Sequence, residues 1–336
     1  MIMRDVRGFV GLVLGFSPTW SLGKQEAKML YRVMFKRLLM LCAVVFLGVG
    51  LIRPVQAGIY TWTPIGLDGK YFNALVVDPT TPGTLYAALS MNGGVWRTTN
   101  GGQTWQAVNN GLTNTSVTSL AAKPTTPTTL YAGTGGYLYE STDGGDNWNP
   151  LYGPVALALD IAIDPGTPAT MYVGTRSDGA YKSTNGGSTW NPINNGLGSK
   201  WINDITVSPK LVSTLYAATG DAGVYKSTDS GANWSAVNNG LPSTYIARVA
   251  TGTDNPDIAF ALIEGVGVYK TTNGGAIWSQ KNNGLTGTAV RTLVIDPQNP
   301  SLLYLGTRRT SVFKSINQGE SWTAFNEGLQ DRSVEV

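Results

Sequence analysis

Six tryptophans at near-constant spacing constrain this chain more than any other feature. Trp105, Trp148, Trp190, Trp234, Trp278 and Trp322 are separated by 43, 42, 44, 44 and 44 residues. Each closes the same motif, Ser/Thr-x-Asp/Asn-x-Gly-x-x-Trp, beginning at Thr98, Ser141, Ser183, Ser227, Thr271 and Ser315. Asp143 and Asp229 fill the acidic position, and Asn100, Asn185, Asn273 and Asn317 take it elsewhere. Gly102, Gly145, Gly187, Gly231, Gly275 and Gly319 hold the glycine in every copy. Self-similarity at this period marks a repeat array in which a unit cannot bury its own faces and must stack on its neighbours.

Within a repeat, the pattern predicts four short strands. In the second copy, Val117 to Lys123 alternates as an inner strand, and Pro124 and Pro127 flank a turn. Thr129 to Gly133 forms a second strand, Tyr137 to Thr142 a third and Asn147 to Leu151 a fourth. The same order recurs around Tyr86, Tyr172, Tyr216, Phe260 and Tyr304 in the second strand, and around Trp96, Tyr181, Tyr225, Tyr269 and Phe313 in the third. Four antiparallel strands per repeat of this length predict an all-β fold, a β-propeller of four-stranded blades. The high glycine content, 42 residues, and only 13% charged residues suit such turn-rich β architecture. Six blades are favoured. Seven are the alternative, because Tyr60-Thr61-Trp62 sits 43 residues before Trp105, and Gly328-Leu329 onward repeats the run from Gly284-Leu285.

The repeat turn resembles the Asp box of bacterial-neuraminidase-type (BNR) repeats, over residues 60–336. In such a turn the Asx side chain caps backbone N–H groups, glycine supplies a positive φ, and tryptophan folds back to pin the loop. The resemblance therefore implies a structural role for the motif.

The basic balance belongs to the leader. Residues 1–57 carry eight Lys/Arg against two Asp/Glu, and residues 58–336 carry sixteen against nineteen. A nucleic-acid partner is not expected of an acidic ring. Met34-Phe35-Lys36-Arg37 is a short positive segment, Leu38 to Ile52 an apolar run, and Val55-Gln56-Ala57 a small-residue ending. Residues 34–57 thus read as a signal peptide cleaved after Ala57. The apolar run is shorter than the roughly 20 residues a spanning helix needs, so no stable membrane insertion is expected after cleavage. Residues 1–33 precede the credible start at Met34 and read as an over-extended frame. The ring of residues 58–336 is expected to be secreted or periplasmic.

The single cysteine, Cys42, lies in the apolar run, and the chain has no histidine. Thiol, Ser-His-Asp and His-ligated metal chemistry are therefore not expected of the ring, and no cofactor is anticipated. A binding surface on a repeated scaffold lies where the repeats diverge. At one aligned inner-strand position stand Ala74, Ser119, Asp160, Asp204, Arg248 and Thr292. Asp160, Asp204 and Arg248 fall on consecutive repeats, with Trp201 and Tyr245 just ahead of two of those strands. The loops between second and third strands add Arg176, Asp178, Asp221, Glu264, Arg308 and Arg309. Aromatic platforms beside carboxylates suit sugars, whose apolar ring faces stack while their hydroxyls bond to the acids. A second divergent set is the cation after the third-strand aromatic: Arg97, Lys182, Lys226, Lys270 and Lys314, against Glu140. These stems are expected to pack over the aromatics with solvated heads.

Resemblance to Asp-box families frames the function. Sialidases need three arginines clamping the substrate carboxylate; arginines are few in residues 58–336, so sialidase chemistry is not expected. Xyloglucanase-type endoglucanases carry a catalytic Asp in a loop similar to Arg176–Lys182 and Gly220–Lys226, but pair it with an acid on a second propeller. Photosystem II assembly factors and sortilin-type receptors use such rings for binding alone. The expectation is a non-catalytic ring with no catalytic or metal residues, binding a glycan or protein at its channel mouth through Asp160, Asp178, Trp201, Asp204, Asp221, Tyr245 and Arg248. The alternative is a glycoside hydrolase using paired Asp residues. For the leader, mass spectrometry of the mature protein is expected to find Gly58 at the N-terminus; a product retaining Leu38 to Ile52 would refute cleavage.

Overall fold

Short alternating segments separated by tight turns pair with their sequence neighbours, and each repeat becomes one antiparallel sheet with its strands in chain order. The structure is a computed structural model that describes residues 66–329, apart from residues 68, 69, 79, 82, 127, 154, 155, 309 and 310. The leader, the Tyr60–Trp62 segment and residues 330–336 lie outside the described residues. In the second repeat the strands are Val117–Ala122, Leu130–Thr134, Leu138–Ser141 and Asn149–Leu151, close to the expected bounds. Six such four-stranded sheets make the chain a six-bladed, all-β propeller, with no helix among the described residues.

The inner strands are Phe72–Val77, Val117–Ala122, Ala158–Ile163, Ile202–Val207, Arg248–Thr251 and Val290–Ile295. Ala74, Ser119, Asp160, Asp204, Arg248 and Thr292 hold the same ladder position, opposite Ala88, Gly133, Gly174, Ala218, Leu262 and Gly306. All six line one small cavity of about 30 Å³, so the inner strands converge on a common axis.

Hydrogen bonds sort the loops into two faces. On one, the first-to-second turn meets the third-to-fourth turn of the same blade, as in Gly144 N–H to Thr128 O (2.8 Å) and Ser230 N–H to Ser213 O (2.9 Å). On the other, the second-to-third loop meets the connection into the next blade, as in Gly179 N–H to Lys200 O (2.9 Å) and Gly223 N–H to Thr244 O (2.8 Å). The first is the turn face and the second the loop face.

Five buried apolar clusters each span two neighbouring blades. One joins Ala162, Tyr172 and Ala180 of blade 3 to Ile202, Ile205, Leu215 and Trp234 of blade 4. The second-strand aromatics Tyr86, Tyr131, Tyr172, Tyr216, Phe260 and Tyr304 are all fully buried. Burial of this kind, at about 25 cal/mol per Å² of apolar surface, is available to a blade only from its neighbours.

The repeat turn is built as its residue types dictate. Ser227 Oγ accepts from Gly231 N (2.9 Å) and donates to Asp229 Oδ1 (2.8 Å), which accepts from Asn233 N (2.8 Å). These donors hold Asp229 well below the usual carboxylate range, at about 2, with the Asn233 amide the largest influence. Asn185 makes the same bonds uncharged, to Thr189 N at 2.9 Å. The tryptophan folds back as expected and also reaches further. Its indole lies against its own turn glycine, with Trp148 Cζ2 3.7 Å and Trp190 Cζ2 3.6 Å from where a Cβ on Gly145 and on Gly187 would be. Its N–H crosses to the preceding blade, with Trp148 Nε1 donating to Val108 O (2.8 Å) and Trp234 Nε1 to Ile193 O (2.8 Å). A connector pattern, Asn-Asn-Gly-Leu, completes the junction: Asn194 Oδ1 accepts from Ala180 N within its blade, and Asn195 O accepts from Trp234 N of the next.

Gly187 sits at φ +91°, with Leu151 Cδ1 2.9 Å from where a Cβ would be. Gly187→Val is expected to lower stability by about 1–3 kcal/mol in a chemical denaturation series, leaving ligand affinity per folded molecule unchanged.

Candidate ligand-binding face

The inner strands aim their side chains by a bulge. Five of the six shift register just before the channel-facing position, at Asn73, Thr118, Leu159, Asn203 and Arg291. A bulge sets two residues against one and re-aims the extra side chain. Asn73 Nδ2 donates to Val117 O (2.8 Å), Thr118 Oγ1 to Ala158 O (2.6 Å) and Asn203 Nδ2 to Ile246 O (2.9 Å), each on the next blade. The bulges therefore lace the inner strands together around the channel.

The aligned acids take part in this lacing. Asp204 is 2% exposed, and its Oδ2 accepts from Val249 N at 2.8 Å. Asp160, half-buried, makes the corresponding but longer bond to Ile205 N at 3.3 Å. Arg248 donates from Nη1 to Ala247 O at 3.0 Å. The three do converge at the mouth, but the cavity they share is about 30 Å³. The wider channel section below, lined by Asp160, Ile163, Ile205, Val207, Leu293 and Ile295 among others, is about 90 Å³. Small-molecule sites are commonly 300–1,000 Å³, so the channel holds water-sized occupants and a larger ligand has to lie across the rim.

The rim offers a row of side chains from three blades. The Arg176 guanidinium lies 5.3 Å from the Trp201 ring centroid. Trp201 meets Tyr245 edge to face, at 6.1 Å and 79°. Gly220 makes the row possible, because a Cβ there would overlap the indole, and Gly220 N–H also bonds to Trp201 O at 2.9 Å. Offset and edge-to-face geometry is the favoured aromatic arrangement, and a cation over indole adds to it. Tyr245 is 40% exposed, Trp201 half-buried and Arg176 exposed. The other exposed aromatics among the described residues, Tyr71, Tyr137 and Tyr152, also lie on the loop face. The four exposed tyrosines among the described residues thus share one side of the disc.

The remaining loop acids lie in the loops between second and third strands, on the same face. Asp221 is exposed beside Gly220. Asp178 is half-buried, its N–H on Thr175 Oγ1 (3.0 Å), and its charge adds to the burial that raises the Tyr181 phenol. Glu264 pairs with Arg291 at 2.7 Å and lies 3.9 Å from Arg308. Arg309 lies outside the described residues. Alignment missed Arg291 because it occupies a bulge, which a strict two-residue period cannot register. Arg176 was visible as a loop cation, but its stacking partner comes from the next blade.

No family model matches the chain. A curated xyloglucanase of Hypocrea jecorina is 34% identical over 113 residues, covering 31% of this chain and 13% of that protein. Among solved structures, an ancestral GH74 enzyme superposes with a TM-score of 0.65 at 22% identity, covering 73% of this chain and 36% of its own. The GH74 xyloglucanase of Xanthomonas campestris gives 0.62 at 19%, covering 76% and 45%. A YCF48 structure described as bound to a D1 peptide gives 0.55 at 16%, covering 72% and 77%. The chain therefore shares its propeller fold with GH74 and YCF48 proteins, and spans less than half the length of these two GH74 chains.

The geometry separates two kinds of rim residue. Asp204→Ala, which strands the Val249 N–H, is expected to cost about 1–3 kcal/mol of stability. Tyr245→Ala is expected to leave the melting temperature within the spread of surface substitutions. Thermal melts of the two variants check this directly.

Proposed function

We propose that the ring is an exported, non-catalytic binding module of the BNR/Asp-box type that takes a glycan across its loop face. The observation that supports this reading is the Arg176–Trp201–Tyr245 row, flanked by the carboxylates of Asp178 and Asp221. Flat aromatic surface stacks against the apolar face of a sugar ring, while neighbouring acids accept from its hydroxyls. Asp160, Asp204 and Arg248 shape the floor beneath, and Asp204 does so with its carboxylate spent on a backbone N–H. A general acid or nucleophile has to reach the scissile bond, and a 2%-exposed carboxylate beneath a cavity of about 30 Å³ is poorly placed for that. Export follows from the leader segment at residues 34–57, and a protein ligand on the same row is the other binding mode.

A second reading is hydrolysis by paired acids, as the likeness to a xyloglucanase over 113 residues suggests. Two carboxyl groups converge at the mouth, on adjacent blades. One experiment divides the readings. A glycan array and a reducing-end assay on β-glucans are run on wild type, Trp201→Ala and Asp204→Asn. Binding predicts that wild type captures a glycan and releases no reducing ends, and that Trp201→Ala loses about 1–3 kcal/mol of affinity, by analogy with planar ligands on aromatics. Turnover by wild type that collapses in folded Asp204→Asn would overturn binding in favour of hydrolysis.

A further inference from the structure

The third-strand cations are spent inside the ring. Arg97 Nη1 donates to Gly144 O (3.0 Å), Lys182 Nζ to Ser230 O (3.1 Å) and Lys270 Nζ to Gln318 O (2.9 Å), each across a blade junction on the turn face. Lys226 Nζ pairs with Asp257 at 3.0 Å. The lysines lie over the second-strand aromatics as expected, 5.5 Å from Tyr172, 5.5 Å from Tyr216 and 5.7 Å from Phe260. Their heads, expected in solvent, are instead held between blades; the Lys270 side chain is 4% exposed. On the loop face, Arg291 and Arg308 both turn to Glu264.

Two loop-face cations stand apart from this pattern. Arg176 and Lys200 are exposed, and among the described residues neither side chain makes an ion pair or a hydrogen bond within the protein. Both belong to Trp201: the Arg176 guanidinium lies 5.3 Å from its ring centroid, and Lys200 precedes it in the chain. The backbone holds all three in place. Arg176 N–H bonds to Leu157 O (3.0 Å), Gly179 N–H to Lys200 O (2.9 Å) and Trp201 N–H to Ser199 Oγ (2.9 Å). The indole already has Gly220 packed against it and Arg176 over it. Its own N–H has no acceptor among the described residues. Around Trp201 the row thus presents uncommitted donors: a guanidinium, an ammonium and an indole N–H.

We infer, resting on the glycan reading above, that the sugar taken at this row is a uronic acid, its carboxylate held by Arg176 and its ring lying along Trp201 and Tyr245. Guanidinium, ammonium and indole groups can only donate, so their partner has to accept. A guanidinium stacked on an aromatic keeps its N–H groups in its own plane, where they match the two oxygens of a carboxylate. Such charge-assisted pairs are roughly twice as strong as bonds to a neutral hydroxyl. Because the cation is already stacked and its backbone tied, little ordering remains to oppose binding. A uronic acid keeps the ring hydroxyls of its parent sugar, and these suit the acceptors Asp178 and Asp221.

Three ligands of equal length separate the charge from the sugar: an oligogalacturonate, its methyl ester and a neutral β-glucan oligosaccharide. Each is titrated calorimetrically into wild type, Arg176→Gln and Arg176→Lys, with thermal melts confirming that the variants fold. Wild type is expected to bind the acid about tenfold or more tightly than the ester. That preference shrinks as ionic strength rises from about 0.01 to 0.15 M. It disappears in Arg176→Gln and survives in part in Arg176→Lys, which keeps the charge and loses the fork. Equal affinity of wild type for acid and ester, or an undiminished preference in folded Arg176→Gln, overturns the uronate assignment and leaves the glycan reading standing. Preference for a sulfated oligosaccharide of equal charge overturns it in favour of sulfate. Binding of none of these sugars defeats the glycan reading itself, and capture of an acidic peptide in their place assigns the row to a polypeptide.

Discussion

The indole N–H of a repeat tryptophan bonds to the blade before its own, and the rest of the ring depends on that displacement. At four of the five junctions among the described residues, Trp148, Trp234, Trp278 and Trp322 donate to Val108, Ile193, Val237 and Lys281. The donor belongs to one repeat and the acceptor to another, so neither is satisfied in an isolated blade. A buried indole N–H without an acceptor costs roughly 1–3 kcal/mol, which makes the turn a coupling device between blades. Apolar packing follows the same rule, since each described cluster is shared by two sheets. Nearest-neighbour coupling of this kind makes the stability of a repeat array a sum over interfaces.

That coupling occupies the turn face and leaves the loop face free to vary. Turn residues are committed to capping bonds, indole contacts and cation bridges, so drift there costs stability. Loops between second and third strands are tied to the connections largely through backbone bonds, as at Gly179, Gly220 and Gly223, which leave their side chains uncommitted. Arg176, Trp201 and Tyr245 could therefore diverge from their counterparts without loosening the ring. The inner-strand bulges extend this division to the channel: the bulged residue ties blade to blade, and the residue after it lines the mouth.

Periodicity made the blades legible, because strands, turns and buried aromatics recur at fixed offsets and each reports on its own repeat. What alignment cannot report is a partner from another repeat. Trp234 reads as closing its own turn until the structure places Ile193 O beside its indole. The Asn-Asn-Gly-Leu connector, repeated at Asn109, Asn194, Asn238 and Asn282, recurs in the sequence as plainly as the turn does, but its partners likewise lie on two blades. Asp204 shows the limit most clearly. The column that isolates Asp160, Asp204 and Arg248 is the right ladder position, but a column does not say whether a carboxylate faces water or a backbone N–H.

The contrast between Asp160 and Asp204 bears on what the mouth can do. Both bond to the backbone N–H one residue past the aligned position of the next blade, yet Asp204 does so at 2.8 Å and buried, and Asp160 at 3.3 Å and half-buried. A short bond from a buried amide fixes the carboxylate in place, which suits support of the neighbouring strand. Asp160 borders both the mouth and the wider channel section, so it alone of the pair has freedom to answer a ligand above it. An asymmetric pair of this kind gives the rim one rigid side, beneath Trp201 and Tyr245, and one adaptable side. In the proposed glycan reading, stacking would use the rigid side, and hydrogen bonding to hydroxyls the adaptable one.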